Sequence, residues 1–104
     1  MQPDILVVCD PAKLDDKGCR GTPDWVVEII SPTTASQDQI RKLDLYERQQ
    51  VREYWIVDPL NRIITVFVLS HGGYGKPLYV EAKGKLAPRL FPELEVEWDL
   101  IFAE

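Results

Sequence analysis

Three side chains of this sequence have the types that phosphoryl chemistry uses, two carboxylates and one ammonium: Asp4, Glu28 and Lys42. Glu28 stands inside the run Trp25-Val26-Val27-Glu28-Ile29-Ile30, with apolar neighbours on both sides. A charge in such a strand is costly unless a metal, a cation or a proton compensates it. A strand-end glutamate salt-bridged to a neighbour meets the same need, so the isolated charge fits a scaffold as well as a site. Asp4 heads a second apolar run, Ile5-Leu6-Val7-Val8. Neighbouring strands could bring both carboxylates to one point, and two carboxylates with waters and a substrate oxygen suit Mg²⁺. A lysine beside such a metal would orient or deprotonate the attacking water and steady the phosphate charge. Lys42 can do this if its helix packs over the strand ends. The competing reading is a surface ion pair with Asp38, four residues earlier, worth a few tenths of a kcal/mol.

Other chemistries have little to work with. The one histidine, His71, lies in a glycine-rich turn and reads as solvated, and no serine or cysteine has an evident base nearby. Cys9 reads as a small buried hydrophobe. Cys9 and Cys19 alone support neither a disulfide framework nor a zinc site. The stretch Ser70-His71-Gly72-Gly73-Tyr74-Gly75-Lys76 joins two strands and opens no helix. It lacks the context of a phosphate cradle and reads as a hairpin loop.

The elements that must position the three residues follow from the patterning. A chain of 104 residues is expected to form one domain with a modest core. No apolar run approaches the ~20 residues that span a bilayer. The start, Met1-Gln2-Pro3-Asp4, is not of secretory type, so the expected location is the cytoplasm. A net charge of −5 argues against a basic nucleic-acid coat but not against a nuclease, whose acidic site contributes part of it.

Asp4 to Cys9 and Pro23 to Pro32 read as strands covered on both faces, with a charged loop from Ala12 to Thr22 between them. The period then changes. Thr33, Thr34 and Ser36 offer caps, Gln37 completes a capping box with Thr34, and Ser36 to Gln50 reads as a helix. Ile40, Leu43, Tyr46 and Glu47 form its stripe, and Asp44 and Arg48 share a face. Val51 to Val57 is strand again, which makes a right-handed, parallel βαβ unit. Ile63 to Leu69 pairs back on it as a hairpin, and Leu78 to Ala82 is expected at an edge. Lys83 to Pro88 reads as polar connection, Leu90 to Trp98 as a one-sided strand, and Asp99 to Ala103 as a closing helical turn.

Several blocks, in order, resemble the Uma-type restriction-endonuclease family, a former domain of unknown function common in cyanobacteria and part of the PD-(D/E)XK nuclease superfamily. They are Gln2-Pro3-Asp4-Ile5-Leu6-Val7-Val8, Pro23-Asp24-Trp25-Val26-Val27-Glu28-Ile29-Ile30-Ser31-Pro32, Asp38…Lys42-Leu43…Tyr46, and Val51-Arg52-Glu53-Tyr54-Trp55-Ile56-Val57-Asp58. The resemblance implies an α/β (α+β) fold, a restriction-endonuclease-like mixed sheet with one main crossover helix. It also implies Mg²⁺ or Mn²⁺ held by Asp4 and Glu28, with DNA as substrate. The superfamily lysine would fall at Ile30. The family supplies it from the following helix, which makes Lys42 the candidate catalytic lysine, with Asp38 and Tyr46 as supports. Family members carry a substantial part before the Gln-Pro-Asp strand, so this chain reads as N-terminally shortened. Its first strand would be an exposed edge suited to a homodimer. The expected function is therefore a metal-dependent endonuclease, inactive if the shortening removes what it needs. The alternative is a non-catalytic dimerising or partner-binding domain on the same fold.

Overall fold

The structure is a computed structural model that describes residues 4–8, 14–15, 18–19, 21–30, 36–89 and 91–98, with side chains described for 21–30, 39–89 and 91–98. Its elements in chain order are β1 (Asp4–Val8), β2 (Leu14–Asp15), β3 (Gly18–Cys19), β4 (Trp25–Ile29), α1 (Ser36–Arg48) and β5 (Glu53–Asp58). There follow β6 (Ile63–Ser70), β7 (Gly73–Tyr74), β8 (Leu78–Glu81), β9 (Lys85–Leu86) and β10 (Val96–Glu97).

The main sheet runs β1-β4-β5-β6-β7, with β8 also paired to β6. Its one parallel pair is β4 with β5, the two strands that flank α1, as a βαβ crossover requires. β1 is antiparallel to β4, and β6 is antiparallel to β5. The mixed sheet with a single crossover helix is the expected fold class.

β4 and β5 are apolar on both faces because both faces are covered. One face carries Trp25, Val27, Trp55, Val57, Ile64, Val66, Ala82 and Trp98. Glu53 is buried on this side, and its Oε2 accepts the Trp55 indole N–H at 2.7 Å and the Arg89 backbone N–H at 3.2 Å. The other face carries Val26, Tyr54 and Phe67, with Leu43 and Tyr46 of α1 packed against them.

α1 ends as a helix with a left-handed closing residue does. Gln50 has φ 62°, its N–H bonds the Glu47 carbonyl at 3.0 Å, and the Val51 N–H bonds the Tyr46 carbonyl at 3.0 Å. Val51 is then drawn into the core with no exposed surface. The helix thus stops two residues before the expected end, at the turn its own backbone closes.

Three local expectations need correction. The loop from Ala12 to Thr22 holds the short β2–β3 pair. The connection from Lys83 to Pro88 holds β9, which pairs with β10. Among the described residues of the expected strand from Leu90 to Trp98, only Val96–Glu97 is strand, because Pro92 and Glu93 turn the chain before it. The stripe of α1 also fails at Ile40, which is 67% exposed. The capping residues Thr33 and Thr34 and the closing turn from Asp99 to Ala103 lie outside the described residues.

Candidate active site

The sheet and α1 bring Glu28, Lys42 and two tyrosines together. Glu28 sits in the middle of β4, between Ile5 of β1 and Ile56 of β5 in register. Strand alternation turns it to the helix side with Val26 and Tyr54. Its side chain is fully buried. An isolated carboxylate there would be untenable, and the structure supplies two partners. The Tyr54 hydroxyl, from β5, donates to Oε1 at 3.1 Å. The Lys42 ammonium, reaching in from α1 with 28% of its side chain exposed, forms an ion pair with Oε2. Of the compensations open to Glu28, the structure therefore uses a cation and a neutral donor.

Lys42 turns inward from the helix to the sheet. The Asp38 side chain, the other candidate partner, lies outside the described residues. The other helix pair forms as expected, with Arg48 Nε 3.1 Å from Asp44 Oδ2 on the exposed face.

Tyr46 follows Lys42 by one turn, and its ring centroid lies 4.8 Å from that of Tyr54. Burial, and then the negative charge of Glu28, raise the Tyr46 hydroxyl above the ordinary tyrosine pKa, while Lys42 acts in the opposite direction. Burial raises Tyr54 much further, aided by the charge of Glu28 and by the hydrogen bond to it. Both phenols therefore stay protonated donors through the neutral range. Sequence reasoning named Tyr46 but missed Tyr54. On β5, Tyr54 lies two residues before the register partner of Glu28 and on the same face, a relation created by the pairing of β4 with β5 and marked by no local pattern.

Asp4 is the first residue of β1, and its backbone pairs with Ile29. Across an antiparallel pair, facing residues share a side of the sheet, so the register gives Ile5 rather than Asp4 to the face of Glu28. The Asp4 side chain lies outside the described residues. Among the described residues no group of three or more His, Cys, Asp or Glu side chains gathers where a metal could be held. Glu28 alone has the fitting chemistry, a hard oxygen donor. Mg²⁺ is held by one or two protein carboxylates with waters and substrate oxygens, so Glu28 meets part of that need.

The remaining buried acids serve other ends. Asp24 is buried where Arg52 Nη1 stands 3.7 Å from its Oδ1. Glu53 neighbours Tyr54 in sequence but faces the opposite side of the sheet.

A family model matches residues 1–100, that of Uma2, described as "Putative restriction endonuclease". The chain belongs to the Uma2 family. A crystal structure from Anabaena variabilis, described as "a putative nuclease belonging to DUF820", shares its fold with a TM-score of 0.64 at 17% identity. The match covers 88% of this chain but 54% of that one, so the chain spans about half the length of the solved structure it resembles. No curated protein matches the chain. Among the described residues of this Uma2 member, no helix is long and apolar enough to cross a membrane.

Proposed function

We propose that this Uma2 member is a nuclease that hydrolyses DNA phosphodiester bonds at the Glu28 site. The observation that carries the reading is the meeting of the Lys42 ammonium, on α1, with the buried Glu28 carboxylate, on β4, 14 residues apart in sequence. A lysine drawn off a helix surface onto a strand carboxylate is the arrangement a migrated catalytic lysine needs. In this reading Glu28 holds Mg²⁺ or Mn²⁺, with Asp38 and Tyr46 supporting the helix side. Asp4, which the register assigns to the other face of the sheet, joins the ion only if the head of β1 departs from that alternation. The bound ion would polarise the scissile phosphate and lower the pKa of a bound water. Lys42, partly exposed at the mouth of the site, would meet the charge that builds on the phosphate oxygens.

The test is nicking of supercoiled plasmid in Mg²⁺. Wild type should yield nicked circles, and folded Glu28→Gln and Lys42→Ala should yield none. Nicking by Glu28→Gln at the wild-type rate refutes the reading. Asp4→Asn is run beside them, since the strand register does not by itself bring Asp4 to Glu28. Its loss of nicking would make Asp4 the second carboxylate.

One observation favours a second reading, a dimerising or partner-binding domain without catalysis. An open groove of about 480 Å³ runs beside α1, lined by Ile40, Leu43, Ile63, Phe67 and Tyr79 among others. Ile40 and Tyr79 on its rim are 67% and 71% exposed. Sedimentation equilibrium decides between a monomer and a homodimer. A dimer broken by Ile40→Asp, with no nicking under any divalent ion, would favour this reading.

A further inference from the structure

We propose that Tyr54 is the positioning residue of the Glu28 site: by holding Oε1 from β5, it aims Oε2 at the cation that α1 or the solvent delivers. The inference rests on the nuclease reading only for the identity of that second cation.

The geometry divides the two oxygens of Glu28 between donors of different kinds. Oε1 is bonded by a hydroxyl on a buried strand at 3.1 Å. Oε2 meets an ammonium on a flexible four-carbon stem, 28% exposed. The Tyr54 side cannot move. Its ring has no exposed surface and lies between Tyr46, at 4.8 Å, and Phe67, stacked at 6.0 Å. Tyr54 and Val26, the residue two before Glu28, are register partners on adjacent strands. The backbone ladder therefore sets the distance from hydroxyl to carboxylate. Lys42 reaches the carboxylate from the surface, with 28% of its side chain exposed.

A carboxylate free to rotate about its last bond samples both oxygens in both directions, since such terminal torsions are broad and two-fold. A fixed donor on one oxygen removes that freedom. Oε2 is then presented in one direction, to Lys42 here and to a divalent ion when one enters. With Tyr54 keeping Oε1, Glu28 would offer its other oxygen to a divalent ion, and Lys42 would serve the proposed nuclease from the mouth of the site.

Tyr54→Phe keeps the ring and deletes the donor, and Phe67→Leu disturbs the packing of the ring but keeps the donor. The first readout is the ¹⁵N signal of the Lys42 ammonium in lysine-labelled protein without metal. It should be resolved in wild type and in Phe67→Leu, and lost to exchange in Tyr54→Phe. The second is calorimetric titration with Mn²⁺, where Tyr54→Phe should bind about tenfold more weakly than wild type, as loss of a hydrogen bond to a charged group predicts. An ammonium signal unchanged in Tyr54→Phe overturns the proposal, whatever the metal does. So does a signal lost equally in Phe67→Leu, which would make Tyr54 mere packing. If wild type takes up no Mn²⁺ but Tyr54→Phe still loses the ammonium signal, the positioning role stands and the nuclease reading is what fails.

Discussion

The carboxylate of Glu47, in the last turn of α1, accepts the backbone N–H of Tyr74 at 2.7 Å across 27 residues of sequence. Gly73 permits the approach, since a Cβ there would lie 3.2 Å from the same carboxylate oxygen. The Tyr74 hydroxyl returns the tie by donating to the Val51 carbonyl at 2.7 Å. The two bonds fasten the C-terminal end of α1 to β7. The Glu47 bond lies five residues from Lys42, little more than one turn along α1, so it also helps to hold the ammonium over Glu28. Glu47→Ala should therefore destabilise the fold by about 1–2 kcal/mol, the loss of a charge-assisted bond from a half-buried N–H. Urea unfolding measures it. A change within about 0.3 kcal/mol would mean that the helix is held by apolar packing alone.

Lys42 and Glu28 should be coupled far beyond a surface pair. Lys42→Met removes the cation and leaves a buried carboxylate with Tyr54 as its remaining donor at this site, at a cost of about 3 kcal/mol. Adding Glu28→Gln removes the charge that needed compensating. The double variant should then recover most of the loss, although exposed pairs show couplings of only about 0.2–1 kcal/mol. A double-mutant cycle by urea unfolding gives the number. Additive losses would mean that the ion pair forms no part of the folded state in solution.

Alkali should unfold the protein through its tyrosines. Tyr46, Tyr54 and Tyr74 are all raised above the ordinary value of 10.0, in each case first by burial. Glu28 adds to the effect at Tyr46 and Tyr54, and Glu47 adds to it at Tyr74. A folded pKa above the unfolded one favours the protonated form in the folded state. The stability it contributes is therefore complete below the unfolded pKa, near 10, and is lost as pH climbs from there toward the folded value. Stability should be flat from about pH 7 to 9, as far as these three groups decide it, and fall above about pH 10. For the fully buried Tyr54 the fall approaches about 1.4 kcal/mol per pH unit. Tyr54→Phe should flatten the slope by that share. Equal slopes in both proteins would show that Tyr54 ionises as readily folded as unfolded.

How far the sequence reaches is visible in β4, α1 and β5. Their patterns are long and their periods distinct, so the parallel pair and its crossover helix follow from β-branched runs, turn residues and a 3.6-residue stripe. The antiparallel β6 follows as well. What fails is short or set by distant partners. β9 and β10 are two-residue strands that exist because they meet each other, and no local pattern marks them. Ile40 has the right spacing to be buried, but it lines an open groove between α1 and strands β5, β6 and β8. At the site, the burial of Glu28 was readable from its neighbours. Its partners were not, because whether Lys42 turns to Asp38 or to Glu28 depends on how α1 lies across the strands. Tyr54 was hidden by Glu53 beside it, the more conspicuous residue for chemistry, which the pleat turns to the opposite face.

The turn between β6 and β7 offers a stabilising change away from the site. Ser70 and Gly73 are register partners, so the loop is the dipeptide His71-Gly72, with φ of 54° and 86°. Two consecutive left-handed residues make the turn whose twist matches that of the flanking strands, and Asn-Gly is its preferred pair. Gly72 meets the demand without strain. His71 carries a Cβ into a region that histidine enters less readily than asparagine, whose short polar side chain bonds its own backbone. His71 is exposed, so the imidazole loses no buried packing on replacement. His71→Asn should stabilise the protein by about 0.5–1 kcal/mol, a rise in Tm of roughly 2–8 °C for a domain of this size. The same variant should nick plasmid as wild type does. A lower Tm would mean that the imidazole makes a contact worth more than the strain its backbone bears, and a loss of nicking at wild-type stability would bring the loop into the site after all.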